Sequence, residues 1–161
     1  MDEPMSAERL VDELTTARDD LLSALAAVKP DSMTTRGLVG DWSARDLIAH
    51  VGYWAGRAVE IIHAVEQGRS NEVGVGQPPV DEVNETVLRV ARTTPLATVR
   101  RREAASVKAL IERLRSLDPA LLAERLPDGD TVEEGVRDDG PAHYREHAEE
   151  LRRTLAEALR G

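Results

Sequence analysis

Apolar residues recur at steps of three and four along almost the whole chain, and no stretch alternates strictly enough for a strand, so the pattern predicts an all-α protein. The first helix is expected from about Ser6 to Val28, with Leu10, Leu14, Leu21, Leu22 and Leu25 inward. It should stop before Lys29-Pro30, because proline disfavours helical backbone in the residue that precedes it. In the second helix Ser43 caps and Asp46, three residues on, makes a short capping box. Leu47, Val51, Trp54, Ala58, Ile61 and Val65 then follow in 4-3-4-3-4 steps to an end near Gln67-Gly68. The loop RSNEVGVGQPP leads to a third helical region that starts near Val80, is interrupted at Thr94-Pro95 and restarts to about Leu117, with Thr94 as cap and Pro95 in the first turn. Asp118-Pro119 opens a short turn through Leu126, and the acidic, glycine-rich PDGDTVEEGVRDDGP reads as a loop. A fourth helix from Pro141 to about Arg160 should carry Tyr144, Ala148, Leu151, Leu155 and Leu159 inward. Four such helices without an internal repeat predict an up-and-down four-helix bundle, one domain over residues 1–161.

Composition narrows the chemistry. With no cysteine in the chain, disulfides, thiolate zinc sites and a cysteine nucleophile are excluded, so any metal must rest on nitrogen and oxygen ligands. A formal net charge of -9 repels a phosphate backbone, and the one basic cluster, Arg100 to Arg102, is followed at once by Glu103, so no nucleic-acid partner is expected. No apolar run reaches the roughly 18 residues of a membrane span, and the acidic start MDEPMSAERL lacks the regions of a signal peptide. The expected location is cytoplasmic, without a membrane partner.

The chemistry-bearing residues are few. Of four histidines, His143 and His147 lie one turn apart directly behind Gly140-Pro141, on a row that continues to Leu151. If neighbouring helices alternate in direction, the second and fourth run parallel and start at the same end of the bundle. His50 lies seven positions after Ser43, and His147 seven after Gly140, so each sits about 10 Å down its helix at 1.5 Å per residue. His50 shares the row of Leu47, Trp54 and Ile61, so three imidazoles can face the mouth of the bundle. Three nitrogens with an open position are the pattern of a catalytic divalent site. Zinc, nickel and iron all accept such ligands. His63, well round the second helix from His50, reads as a surface residue. The aromatic residues Trp42, Tyr53, Trp54 and Tyr144 all fall near a candidate ligand in a chain with no phenylalanine, which suggests a pocket wall that includes Tyr53 and Trp54. Arg57, one turn beyond Tyr53, is placed to pair with a substrate carboxylate.

The segments DWSARDLIAHVGYW, DEVNETVL and HYREHAEELRRTL resemble the DinB-like metalloprotein superfamily, including the N-terminal domain of mycothiol-dependent maleylpyruvate isomerase and the colibactin self-resistance type of bundle. The resemblance spans nearly the whole chain. It implies an up-and-down four-helix bundle with a divalent metal on three side chains, which fall on His50, His143 and His147. It also places Asn84 where members often carry asparagine, and so among the candidate substrate-binding residues with Tyr53, Trp54 and Arg57, or else as a bond to a neighbouring helix. The sequence ends after the fourth helix, a departure from isomerases with an additional C-terminal domain.

What the resemblance implies about activity is divided. One expectation is transfer of a low-molecular-weight thiol such as mycothiol to a small electrophile, with the metal keeping the sulfur as thiolate. Another is metal-dependent hydrolysis with a loop carboxylate, Asp139, as base. The third is a non-catalytic metabolite-binding or self-resistance module. A small-molecule partner is common to all three, and homodimerisation through an apolar outer stripe stays open.

Overall fold

The hydrophobic rows become six helices and three short 3-10 turns in a computed structural model that describes residues 7–160. They are α1 Ala7–Leu25, α2 Ala44–Glu66, α3 Val80–Ala91, α4 Leu96–Ser116, α5 Val132–Asp139 and α6 Pro141–Arg160. The 3-10 turns are Pro30–Ser32, Ser70–Glu72 and Pro119–Ala123, and no strand forms among the described residues. The long helices α1, α2, α4 and α6 make an all-α bundle around one continuous core, with Leu10, Leu14, Leu21, Leu47, Ile62, Leu110, Leu114 and Leu151 fully enclosed.

Local chemistry accounts for most boundaries. The Ser43 side chain accepts from the Asp46 N–H at 3.1 Å while Asp46 accepts from the Ser43 N–H at 3.0 Å, the reciprocal box expected for α2. The first helix ends at Leu25, a turn before the expected Val28, and its expected start at Ser6 lies outside the described residues. Thr94 does not cap α4: its hydroxyl donates back to the Val90 carbonyl at 2.6 Å, satisfying the end of α3, and Pro95 stands at the cap position. The segment expected to be a loop contains α5. Thr131 caps it by accepting from the Glu134 N–H, and Val132 and Val136, one turn apart, are fully buried. Leu22 and Leu159 are not inward, at 39% and 89% exposed. Leu22 follows the buried Leu21 by about 100° of helix rotation, and Leu159 lies at the far end of α6 in an exposed last turn.

Side-chain pairs fix the helix directions. Glu8 meets Arg115 and Arg18 meets Glu103, so α1 and α4 are antiparallel. Gly52 faces Glu103, Gly56 faces Ser106 and Glu66 meets Arg113, so α2 and α4 are parallel. Glu13 meets Arg137 and Asp20 meets Arg152, so α1 runs with α5 and α6. The last long helix is therefore antiparallel to α2, which corrects the expectation that the two run parallel. The cause is α3. Its contacts Asn84 to Trp54 and Arg92 to Asp46 show it climbing back along α2, so that α4 starts at the same end as α2. Arg45 ties this return down by donating to the Arg92 and Thr94 carbonyls.

Close approach of α2 and α4 depends on glycine at one point. A Cβ on Gly52 would stand 3.0 Å from the Glu103 Cα, so any side chain there would push the two backbones apart. Glu103 itself is 4% exposed and ties three elements: Arg18 donates to both its oxygens, at 2.7 and 2.8 Å, and the Tyr144 hydroxyl donates to Oε2 at 2.7 Å.

Candidate metal centre

Two elements bring the histidines together. α5 packs against the C-terminal half of α2, with Gly135 against Ile61, and only Gly140 separates it from α6. The last helix thus begins part-way along the bundle, and its first two turns reach the level of His50 on the antiparallel α2. The equal depth expected from a shared starting end is reached by a different route.

The ring nitrogens converge. His143 Nε2 lies 2.9 Å from His50 Nε2 and 3.0 Å from His147 Nε2, and one ligand atom from each of the three lies within 4.8 Å of the others. A ring nitrogen has a single in-plane proton or a single lone pair, so His143 Nε2 cannot form two well-directed hydrogen bonds at once. Two nitrogens at right angles on a common ion, each about 2.1 Å from it, stand about 3 Å apart, which the observed spacing matches. The donor set fits a divalent cation.

Electrostatics favour the ligating form. Burial, then the charges of His143 and His147, push His50 down to about 3. Burial and His147 push His143 down to about 4. Both rings are neutral at physiological pH. The outward Nδ1 atoms of all three are buried without a hydrogen bond, although Glu150 Oε1 stands 3.5 Å from His147 Nδ1. Packing holds the rings instead: Trp42 lies 4.7 Å from His50 and 6.3 Å from His147 between ring centres, and Trp54 lies 6.4 Å from His143. His50 is 5% exposed and the His147 side chain 11%.

Other expected site residues gather one turn away. A cavity of about 390 Å³ is lined by Tyr53, Trp54, Arg57 and Asp139 together with Val73 and Leu126, and the Trp54 ring also meets His143 edge-on. The Tyr53 ring meets Trp54 edge-on at 5.4 Å. Asn84 accepts from Trp54 Nε1 at 2.9 Å, binding α3 to α2, and it is not among the residues that line the cavity. Arg57 pairs with Glu60 at 2.7 Å. Tyr144 is not part of the pocket wall, being buried on Glu103. His63 is exposed, as read from its angle. Asp139 ends a helix and is not on a loop. Sequence reading missed Glu103 as a buried anchor, because its charge pattern after three arginines reads as a surface counter-ion. Glu150, three residues after His147 on the same helix, was legible from spacing alone.

Asp139 has a stability consequence. Burial, opposed by Arg57 and aided by the nearby Asp138 and Asp128, pushes its carboxyl up from 3.8 to about 7. The folded state therefore holds a proton that the unfolded chain releases, and this share of stability declines as the pH rises from about 4 to about 7. Urea melts across that range should show the wild type losing stability relative to Asp139→Asn, which keeps the shape and lacks the titration. Parallel pH profiles of the two proteins would contradict the burial of this carboxyl.

The sequence model of the mycothiol maleylpyruvate isomerase N-terminal domain matches residues 14–137. The chain belongs to this family. With it comes the DinB-like superfamily that the motifs resemble, and solved structures agree on the fold. A protein from Escherichia coli UTI89 superposes with a TM-score of 0.81 at 13% identity, over 97% of this chain and 96% of that one. The colibactin self-resistance protein ClbS, in complex with a double-stranded DNA, gives 0.76 at 13% identity, over 96% and 98%. The mycothiol-dependent maleylpyruvate isomerase gives 0.73 at 19% identity, covering 90% of this chain and 60% of that one. No curated protein sequence matches. Among the described residues, no helix is long and apolar enough to cross a membrane.

Proposed function

We propose that this chain is a metal-dependent transferase of a small thiol of the mycothiol type, acting on a small electrophile held against Tyr53 and Trp54. The reading rests on one observation: the Nε2 atoms of His50, His143 and His147 meet at separations of 2.9 and 3.0 Å in a way that hydrogen bonding between neutral imidazoles does not satisfy. His50, His143 and His147 would hold a zinc, nickel or iron ion, which would supply Lewis acidity near neutral pH. Burial keeps the lone pairs of His50 and His143 available. Trp42 and Trp54 pack on either side of the rings and restrict water. Asn84 holds the Trp54 indole in place by accepting from its Nε1. Arg57 is already engaged by Glu60, which lessens its availability to a substrate carboxylate.

A hydrolytic reading is favoured by Asp139, whose carboxyl at about 7 sits in the adjoining cavity and can take up a proton near neutrality. The DNA-bound relative shares the fold at 13% identity, but a net charge of -9 gives no support to carrying DNA contact over to this chain. Chromatography of a small alkylating electrophile, incubated with metal-loaded protein with and without mycothiol, separates the readings. A thiol adduct formed only with both protein and mycothiol is the expected result. Thiol-independent hydrolysis would replace the transferase with the hydrolase. Protection of the electrophile that survives chelation and His147→Ala would leave a binding or self-resistance module.

A further inference from the structure

The 390 Å³ cavity has a charge pattern that the histidine site does not explain. Its floor is apolar and aromatic, with Trp54 and Tyr53 presenting ring surface. Asp128, Asp130, Asp138 and Asp139 border it against a single cation, Arg57, whose guanidinium is drawn to Glu60. Among the described residues, neither Asp138 nor Asp139 enters a hydrogen bond or ion pair through its carboxylate, while Asp128 accepts only the Asp130 N–H at 2.9 Å. These acids therefore line the cavity with acceptor capacity to spare. An aromatic face beside a surplus of carboxylates attracts a positive group through both the ring quadrupole and the Coulomb field, and the apolar floor receives the body that carries it.

We infer that this cavity selects a small organic cation, a protonated or quaternary amine on an aromatic or aliphatic body, as the substrate of the reaction at the adjoining centre. The binding preference stands on the cavity alone; the word substrate rests on the function proposed above. The raised Asp139 carboxyl is in keeping, since burial outweighs the pull of Arg57 and the neighbouring Asp138 and Asp128 add to it. A carboxylate-bearing ligand of the same size meets the same field with the opposite sign.

Three probes that share a phenyl body test the inference: benzyltrimethylammonium, benzyl alcohol and benzoate, titrated against the full-length protein by calorimetry and by tryptophan fluorescence. The expected result is benzyltrimethylammonium binding about tenfold or more tighter than benzyl alcohol, with benzoate weakest. Asp139→Asn should weaken the cation by about threefold or more and leave benzyl alcohol unmoved, whereas Arg57→Gln should tighten the cation. Benzoate binding as tightly as the cation overturns the inference, as does an unchanged cation affinity in Asp139→Asn and Asp130→Asn alike. The same titrations in His147→Ala, with its metal content measured, keep the two ideas apart. Charge preference judges the cavity, and metal content judges the centre.

Discussion

Chelation is expected to lower the melting temperature of the metal-loaded protein by about 5 to 10 °C and to leave a His143→Ala variant where it was. An ion at a hundred times its dissociation constant stabilises a fold by about 2.7 kcal/mol, and each kcal/mol moves the midpoint of a domain this size by roughly 2 to 4 °C. His143 is the variant to choose because its Nε2 is the one within 3.0 Å of both other ring nitrogens. Losing it leaves two nitrogens on different helices. His143→Gln, a similar volume without an imidazole, checks that the lost response is not a packing defect. Elemental analysis of the same preparations should find about one divalent ion per wild-type chain and far less in either variant. A wild-type protein grown with added zinc, nickel and iron that carries none of them and melts alike with and without chelator would end the metal reading.

Glu103→Ala is expected to cost about 3 to 5 kcal/mol, read as a fall in the urea midpoint. The Glu103 carboxylate sits where α1, α2, α4 and α6 meet: Arg18 and Tyr144 donate to it, and the Gly52 backbone presses on its Cα. Deleting it leaves a guanidinium only partly exposed and a phenol hydroxyl fully enclosed, both without their acceptor. Tyr144→Phe removes one donor and leaves the Arg18 pair intact, so about 1 kcal/mol is expected. A Glu103→Ala loss no larger than that of Tyr144→Phe would mean that water or a neighbour replaces the carboxylate, and that the four-helix junction does not depend on it.

The pattern of stops and caps shows which parts of this architecture were legible. The box at Ser43 and Asp46 and the apolar row from Leu47 to Val65 fixed α2 to within a residue or two, since both signals are local. The same kind of signal was present for α5. Thr131 followed by Glu134 is a capping pattern, and Val132 and Val136 lie one turn apart, yet surrounding glycine and aspartate favoured a loop reading. Turn residues outweighed a short amphipathic row that only tertiary burial makes decisive.

The identities of His50, His143 and His147, their inward angles and the aromatic residues near them follow from periodicity, which is a property of one helix at a time. Their convergence does not. It depends on α3 returning the chain along α2, on α4 consequently running parallel to α2, and on α5 raising the start of α6 to the level of His50. Helix direction and depth are settled by which apolar faces bury one another and how far the connections must travel. Sequence determined which residues belong to the bundle's inner rows; packing between distant segments decided that three of them meet at one point.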